Sequence, residues 1–214
     1  MKKKNCIMVF LKYPRNGEVK TRLAATIGNE IATHIYKNLC EITFEQCLLL
    51  QKNDDIDILL FCASDKDIGK VNKWTDNSFI SRSQRGNDLG ERLHNAFEQV
   101  FCEGYNKCAV IGTDAPEISA YIIEQAFFAL DNNDYVIGET EDGGYYLLGM
   151  KEYNPKIFEE ISWSTNTVYK RTTEIIYSLN KTVFNLPILI DIDKEEDLLQ
   201  LQNSNEVLYA RLLK

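Results

Sequence analysis

The segment CAVIGTDAPEI, Cys108 to Ile118, decides the fold. Its first four residues, Cys108-Ala-Val-Ile111, are apolar and partly β-branched, with no alternation of polar side chains. That pattern predicts a strand buried on both faces. Such strands belong to parallel sheets covered by helices. The run stops at Gly112-Thr113-Asp114, and Pro116 follows almost at once. In open sheets of this class the ligand lies beyond the carboxyl ends of the strands. Asp114 therefore stands where a site is expected. A carboxylate there either starts the turn before Pro116 or holds a Mg²⁺ or Mn²⁺ ion that bridges nucleotide phosphates.

The flanking sequence repeats the strand–helix alternation. Cys6 to Leu11 and Ile56 to Cys62 read as buried strands, and Phe79 to Ser81 as a short one. Between the first two, Ile27, Ile31, Ile35, Leu39 and Ile42 recur at three- and four-residue spacing, one face of a single long helix. Asp88-Leu-Gly-Glu91 has the form of a capping box and opens a helix with Leu93, Ala96, Phe97, Val100 and Phe101 inward. Helices are also expected over about 119–130, over about 165–179 with Ser164 or Thr165 as cap, and from Asp193 onward. Strands are expected at Tyr135–Ile137 and Tyr145–Gly149, and Leu186 to Ile192 should be extended. The fold class is α/β: three layers, α/β/α, around a mainly parallel mixed sheet. No repeat or linker divides residues 1–214, which read as one domain.

Composition narrows the function. The formal net charge is -8, which argues against a general nucleic-acid binder, since such proteins displace counterions with a cationic face. Six cysteines form no C-x-x-C pair and mostly lie inside apolar runs. They read as buried free thiols of a cytoplasmic protein. The basic start, Met1-Lys2-Lys3-Lys4, is followed by too short an apolar run for a signal peptide, and no segment is apolar enough for a transmembrane helix.

Several clusters could carry chemistry. The loop after the first strand, LKYPRNGEVKTRLA, holds Lys12, Arg15, Lys20 and Arg22 ahead of a helix starting near Thr21. Cations beside helix N–H groups suit phosphate, and the glycine spacing is not that of a P-loop. A loop cation carries no core packing, so Lys20→Ala should cost little stability. In LIDID, Leu189 to Asp193, side chains alternate, so Asp191 and Asp193 share a face and either could join Asp114 on a metal. Asp193 with Glu196 also has the form of a helix cap. In Glu139 to Gly149, Gly143-Gly144 marks either a hairpin or a close approach of substrate to backbone. Asp142 beside them could take a proton from an acceptor hydroxyl. The Gln84 side chain could bond a base edge. His34 and His94, without visible partners, read as surface or boundary residues, and Trp163 as a candidate wall of an acceptor pocket.

Taken in order, Phe10-Leu-Lys-Tyr-Pro14, Val19-Lys-Thr-Arg-Leu23, Asp88-Leu-Gly-Glu-Arg92, Ile111-Gly-Thr-Asp-Ala-Pro116, Asp142-Gly-Gly-Tyr-Tyr-Leu-Leu-Gly149 and Ile161-Ser-Trp-Ser-Thr165 resemble small bacterial glycosyltransferase-like proteins of GT-A type, the nucleotide-diphospho-sugar transferases. A wider kinship is implied with the molybdenum-cofactor and phospholactate guanylyltransferases. The resemblance implies a nucleotide in the first half, with Lys12, Lys20 and Arg22 near phosphates, Gln84, Gly86 and Leu89 near base and ribose, and Thr113 also among the nucleotide-binding residues. It implies a divalent metal on Asp114 with Asp191 or Asp193, and an acceptor-side portion over roughly 139–190 that includes Gly143, Gly144 and Trp163. Where sugar-nucleotide transferases carry Asp-x-Asp at the mid-chain strand end, this sequence has Asp114 alone.

The first expectation is thus a metal-dependent transferase that uses a nucleotide sugar and moves the glycosyl group to a small-molecule acceptor. The alternative is a nucleotidyltransferase, joining a nucleoside triphosphate to a phosphorylated or carboxylate acceptor with release of pyrophosphate. A binding module with a lapsed site ranks third, because the carboxylates are present.

Overall fold

In the computed structural model, which describes residues 4–51 and 55–214, seven strands form one sheet. They are β1 (Asn5–Leu11), β2 (Ile56–Cys62), β3 (Ile80–Ser83), β4 (Cys108–Ile111), β5 (Tyr135–Glu139), β6 (Tyr145–Met150) and β7 (Val183–Asn185). The spatial order is β3-β2-β1-β4-β6-β5-β7. All neighbours run parallel except β6, which is antiparallel to both β4 and β5. The helices are α1 (Thr21–Ile27), α2 (Asn29–Leu50), α3 (Ile68–Trp74), α4 (Leu89–Cys102), α5 (Ala120–Ala129), α6 (Val168–Ser178), α7 (Glu195–Ser204) and α8 (Glu206–Leu212). The basic start at 1–3, read against a signal peptide, lies outside the described residues. No helix among the described residues is long and apolar enough to cross a membrane.

The central strands sort their side chains with period two. Ile7, Val9, Ile58, Leu60, Ala109 and Ile111 join α2, α3 and α5 in one core. Cys6, Met8, Leu59, Phe61, Cys108 and Val110 join α4 and α6 in another. This is the expected three-layer α/β/α arrangement, with the parallel strands apolar on both faces. A third cluster brings α1 and α2 against α7 and α8 through Leu23, Ile35, Leu39, Ile190, Ile192 and Leu201.

Several local readings change. The long first helix is two helices: Gly28 stands between them at φ 87, a left-handed angle that costs a glycine little. Ile31 consequently lies 52% exposed instead of on the buried face. The capping box of α4 is slipped by one residue. Asp88 accepts the Glu91 N–H at 2.9 Å, but Glu91 accepts from the Asn87 N–H. The sixth helix begins at Val168, so neither Ser164 nor Thr165 caps it. Asp193 is no cap either: Asp197 accepts the N–H groups of Asp193 and Lys194 at 2.8 and 2.7 Å, and that frees the Asp193 carboxylate. Five cysteines are buried as free thiols, and Cys102 is exposed.

Candidate functional site

The carboxyl ends of β1, β4 and β5 and the amino end of β6 meet at one edge of the sheet, and two adjoining clefts open there. The first, about 430 Å³, is lined by Lys12, Lys20, Arg22, Gln84, Leu89, Thr113, Asp114 and Asp193, with Phe10, Tyr36 and Tyr145 among its other walls. The second, about 570 Å³, is lined by Asp114, Asp142, Gly144, Trp163, Asp191 and Asp193, among others. Arg22, Leu89, Asp114, Tyr145 and Asp193 face both.

Lys20 lines the first cleft, and its two ion-pair partners line both. Its side chain is 4% exposed, and its ammonium lies 2.7 Å from Asp114 Oδ1 and 2.9 Å from Asp193 Oδ1. The loop after β1, the loop after β4 and the segment before α7 are thereby tied at one point. Burial pushes the ammonium pKa down, but the two carboxylates outweigh it and the pKa ends above its ordinary value. The backbone of Lys20 is left-handed, φ 48 and ψ 45, a conformation costing a non-glycine residue about 1–2 kcal/mol. The ion pairs over-determine it. The expectation that Lys20 carries no packing is thus corrected: it is a buried, charge-bridging residue.

The acidic side is crowded. Burial raises the pKa of Asp191, Asp142 and Asp193 add to the rise, and the carboxyl is pushed up to about 7. For Asp193 burial also acts upward, but Lys20, with Arg22 and Lys194, holds its pKa below the ordinary range. Ile190 and Ile192 enter the third core cluster while Asp191 and Asp193 face the second cleft, as period two requires. Asp142 Oδ1 accepts from Thr140 Oγ1 at 2.6 Å and from the Gly144 N–H at 2.9 Å, inside the β5–β6 hairpin. No preformed cluster of three metal-binding side chains exists among the described residues. The donors nonetheless fit a hard divalent cation. All are carboxylate oxygens, and Asp142 and Asp193 act on Asp191 against a smaller opposing effect of Lys20.

The other expected residues divide. Gln84 Nε2 donates to the Phe61 carbonyl at 2.8 Å, which leaves its Oε1 for another partner. Thr113 is buried, and its hydroxyl lies 3.4 Å from that of Tyr36. Lys12 is exposed, and its backbone N–H donates to the Tyr36 hydroxyl at 2.9 Å. Gly86 lines neither cleft. A Cβ there would lie 2.6 Å from that of Glu91, so this glycine serves the turn into α4. Gly143 makes the hairpin at φ 86 and also lines neither cleft. His94 has a partner after all, the Tyr153 hydroxyl at 2.9 Å from Nδ1, and His34 has one in Asn38. Tyr36, Tyr145, Asn166 and Lys194 are cleft residues the sequence reading missed. Tyr36 carries no local signal, since it stands in the apolar pattern of α2; Tyr145 directly follows the paired glycines and could have been found.

Comparison with known proteins follows from this geometry. Residues 47–165 match the model of a family described as uncharacterized proteins conserved in bacteria, DUF2064. The chain belongs to the DUF2064 family. No curated protein is a significant match. Among solved structures, a candidate nucleotide-diphospho-sugar transferase from Desulfovibrio desulfuricans G20 is 31% identical. That alignment covers 98% of this DUF2064 chain and 94% of the other, with a TM-score of 0.91. The expected fold is therefore the observed one. At 11% identity, 4-diphosphocytidyl-2C-methyl-D-erythritolsynthase from Anaerococcus prevotii DSM 20548 shares the fold at TM-score 0.60, over 95% of this chain and 96% of that one. Rv0371C from Mycobacterium tuberculosis H37Rv, solved as a complex with manganese, shares it at 12% identity and TM-score 0.51, over 94% and 99%.

Proposed function

We propose that this DUF2064 protein is a metal-dependent transferase that binds a nucleotide sugar in the first cleft and passes its glycosyl group to an acceptor in the second. The observation that carries the reading is the Asp114–Lys20–Asp193 bridge, standing where the two clefts join. A departing nucleoside diphosphate gathers negative charge at such a junction, and cations placed beside it stabilise it. Lys12, Lys20 and Arg22 supply that charge. Gln84, Leu89 and Thr113 line the part of the cleft assigned to base and ribose.

Asp191 and Asp193, with Asp114, would hold Mg²⁺ or Mn²⁺, which when bound neutralises the diphosphate as a Lewis acid. Asp142 is the proton acceptor. Its Oδ1 is fixed by Thr140 and Gly144, and Oδ2 has no hydrogen bond among the described residues. The acceptor hydroxyl oxygen forms a bond to the anomeric carbon. The bond from that carbon to the diphosphate oxygen breaks, its electron pair leaves with the diphosphate, and the hydroxyl proton passes to Asp142. The stretch 139–190 supplies most of the acceptor-side wall, from Thr140 to Val168.

A thermal-shift screen of nucleoside diphosphates, nucleoside triphosphates and nucleotide sugars, with and without Mn²⁺, tests the site. Product analysis with the strongest donor then tests the reaction. Release of nucleoside diphosphate supports glycosyl transfer, and release of pyrophosphate from a triphosphate replaces it with nucleotidyl transfer. Absence of any shift refutes nucleotide binding.

A further inference from the structure

The acceptor-side cleft holds more information than the proton acceptor alone. Its Trp163–Asn166 wall is fastened at both ends by close approaches that require glycine. A Cβ on Gly90 would lie 2.1 Å from Trp163 Nε1, so the indole rests on the bare backbone of α4. A Cβ on Gly143 would lie 2.1 Å from the Asn166 carbonyl oxygen, so the hairpin abuts the far end of the same wall. Between them Ser164 is held at φ 63. Such strain costs a non-glycine residue on the order of 1–3 kcal/mol and persists where the surroundings over-determine it. The half-buried indole is a built wall of a cleft of about 570 Å³, within the size range of small-ligand sites.

The charge of this cleft is selective. Asp114, Asp142, Asp191 and Asp193 line it against Arg22 and Lys194. Arg22 lies 3.5 Å from Asp193 Oδ2. The remaining polar side chains, Thr140, Tyr145, Tyr146, Ser164, Thr165 and Asn166, are neutral donors and acceptors. An incoming phosphate or carboxylate would meet the carboxylate of Asp142, which has no ion-pair partner among the described residues. Hydroxyls would find partners of both kinds, and the apolar C–H face of a sugar ring packs well on an indole.

We propose that this cleft takes an uncharged polyhydroxy acceptor, a sugar or polyol laid against Trp163, and rejects phosphorylated and carboxylate acceptors. This rests on the assignment of the second cleft to the acceptor. It makes a hydroxyl oxygen the nucleophile.

The test uses the whole chain labelled with 5-fluorotryptophan. It gives two ¹⁹F resonances, from Trp74 and Trp163, assigned with Trp163→Phe. Glucose, mannose, trehalose and glycerol are titrated beside their phosphate esters, first without nucleotide and then with the best-binding nucleoside diphosphate. At least one neutral compound should shift the Trp163 resonance saturably while sparing Trp74, and its ester should bind about tenfold more weakly or worse. Asp142→Asn, which keeps the Oδ1 contacts, should narrow that gap about fivefold, the effect of removing one unit charge some 4 Å away in water. An ester binding as tightly as its parent overturns the proposal, and so does silence of Trp163 to every neutral compound at about 100 mM. Failure of the nucleotide reading is separate, since it appears as the absence of a thermal shift with any nucleotide.

Discussion

Replacing Lys20 with methionine keeps the length and apolar stem of the side chain and removes its charge. The ammonium is buried at 4% exposure, but the carboxylates it bridges are 45% and 36% exposed. Removing one partner of a fully buried pair costs about 3–5 kcal/mol. Solvent screening at the two half-exposed acids brings this to about 2 kcal/mol. For a chain of this size that corresponds to a Tm about 4–8 °C lower. The dependence on pH is the sharper signature. In the parent, Asp193 has a depressed pKa, so its stabilisation is present above the ordinary value of 3.8 and lost as pH falls through the folded value. In Lys20→Met, Asp193 keeps its burial but loses the cation that most lowers its pKa, so its folded pKa rises and the variant loses stability as pH rises through it. The gap in Tm, wide at pH 7, should therefore narrow towards about pH 4 as the variant's carboxylate protonates, and narrow further below 3.8 as the parent loses the Asp193 stabilisation. Calorimetry in chelator across that range measures it. A gap below about 1 °C at pH 7, where about 2 kcal/mol is expected, or a gap that does not shrink in acid, refutes the bridging role of Lys20.

Four further outcomes follow from the same geometry. Asp114→Asn should abolish the Mn²⁺-dependent part of the thermal shift given by a nucleotide; an unchanged shift removes Asp114 from the metal. Asp191, pushed up to about 7, loses its protonated-state stability as pH rises from 3.8 to that value. Asp191→Asn without metal should thus match the parent near pH 4 and exceed it at pH 8 in urea unfolding, and a less stable variant at pH 8 contradicts this. Gly90→Ala should displace the indole of Trp163 and red-shift its fluorescence. The net stability change should be small, because alanine favours the helix by about 1 kcal/mol over glycine. One thiol, Cys102, should react quickly with a thiol reagent in the native state and all six after denaturation; two or more fast thiols would show the core misdescribed.

The strands of the sheet's centre were legible because burial on both faces leaves an unbroken apolar run, as in Cys108–Ile111 and Cys6 to Leu11. The edge strand Val183–Asn185 was not. It is three residues long and largely exposed, so neither an apolar run nor alternation marks it. Periodicity carried the first helix straight through Gly28, since a pattern of isoleucines says nothing of the backbone angle between them. At the site, Asp114, Asp191, Asp193 and Asp142 were each visible as a carboxylate at a strand or turn end. The bridge by Lys20 was not, because its partner Asp193 lies 173 positions away and no local pattern distinguishes a buried lysine from a solvated one. The alternative reading of Asp193 as a helix cap did not hold. The N-cap is Lys194, and its N–H is accepted by Asp197 at N3, one residue beyond the Glu196 that the capping-box spacing picked out.

The antiparallel strand β6 has a consequence for how this architecture can vary. Because β6 enters the sheet from the same edge at which β5 leaves it, the chain visits that edge twice between Glu139 and Tyr145. A longer hairpin there would reshape the second cleft without shifting the register of β1, β2 or β4. On the proposed function, the choice of acceptor can thus change with the length of a single turn while the first cleft keeps its walls.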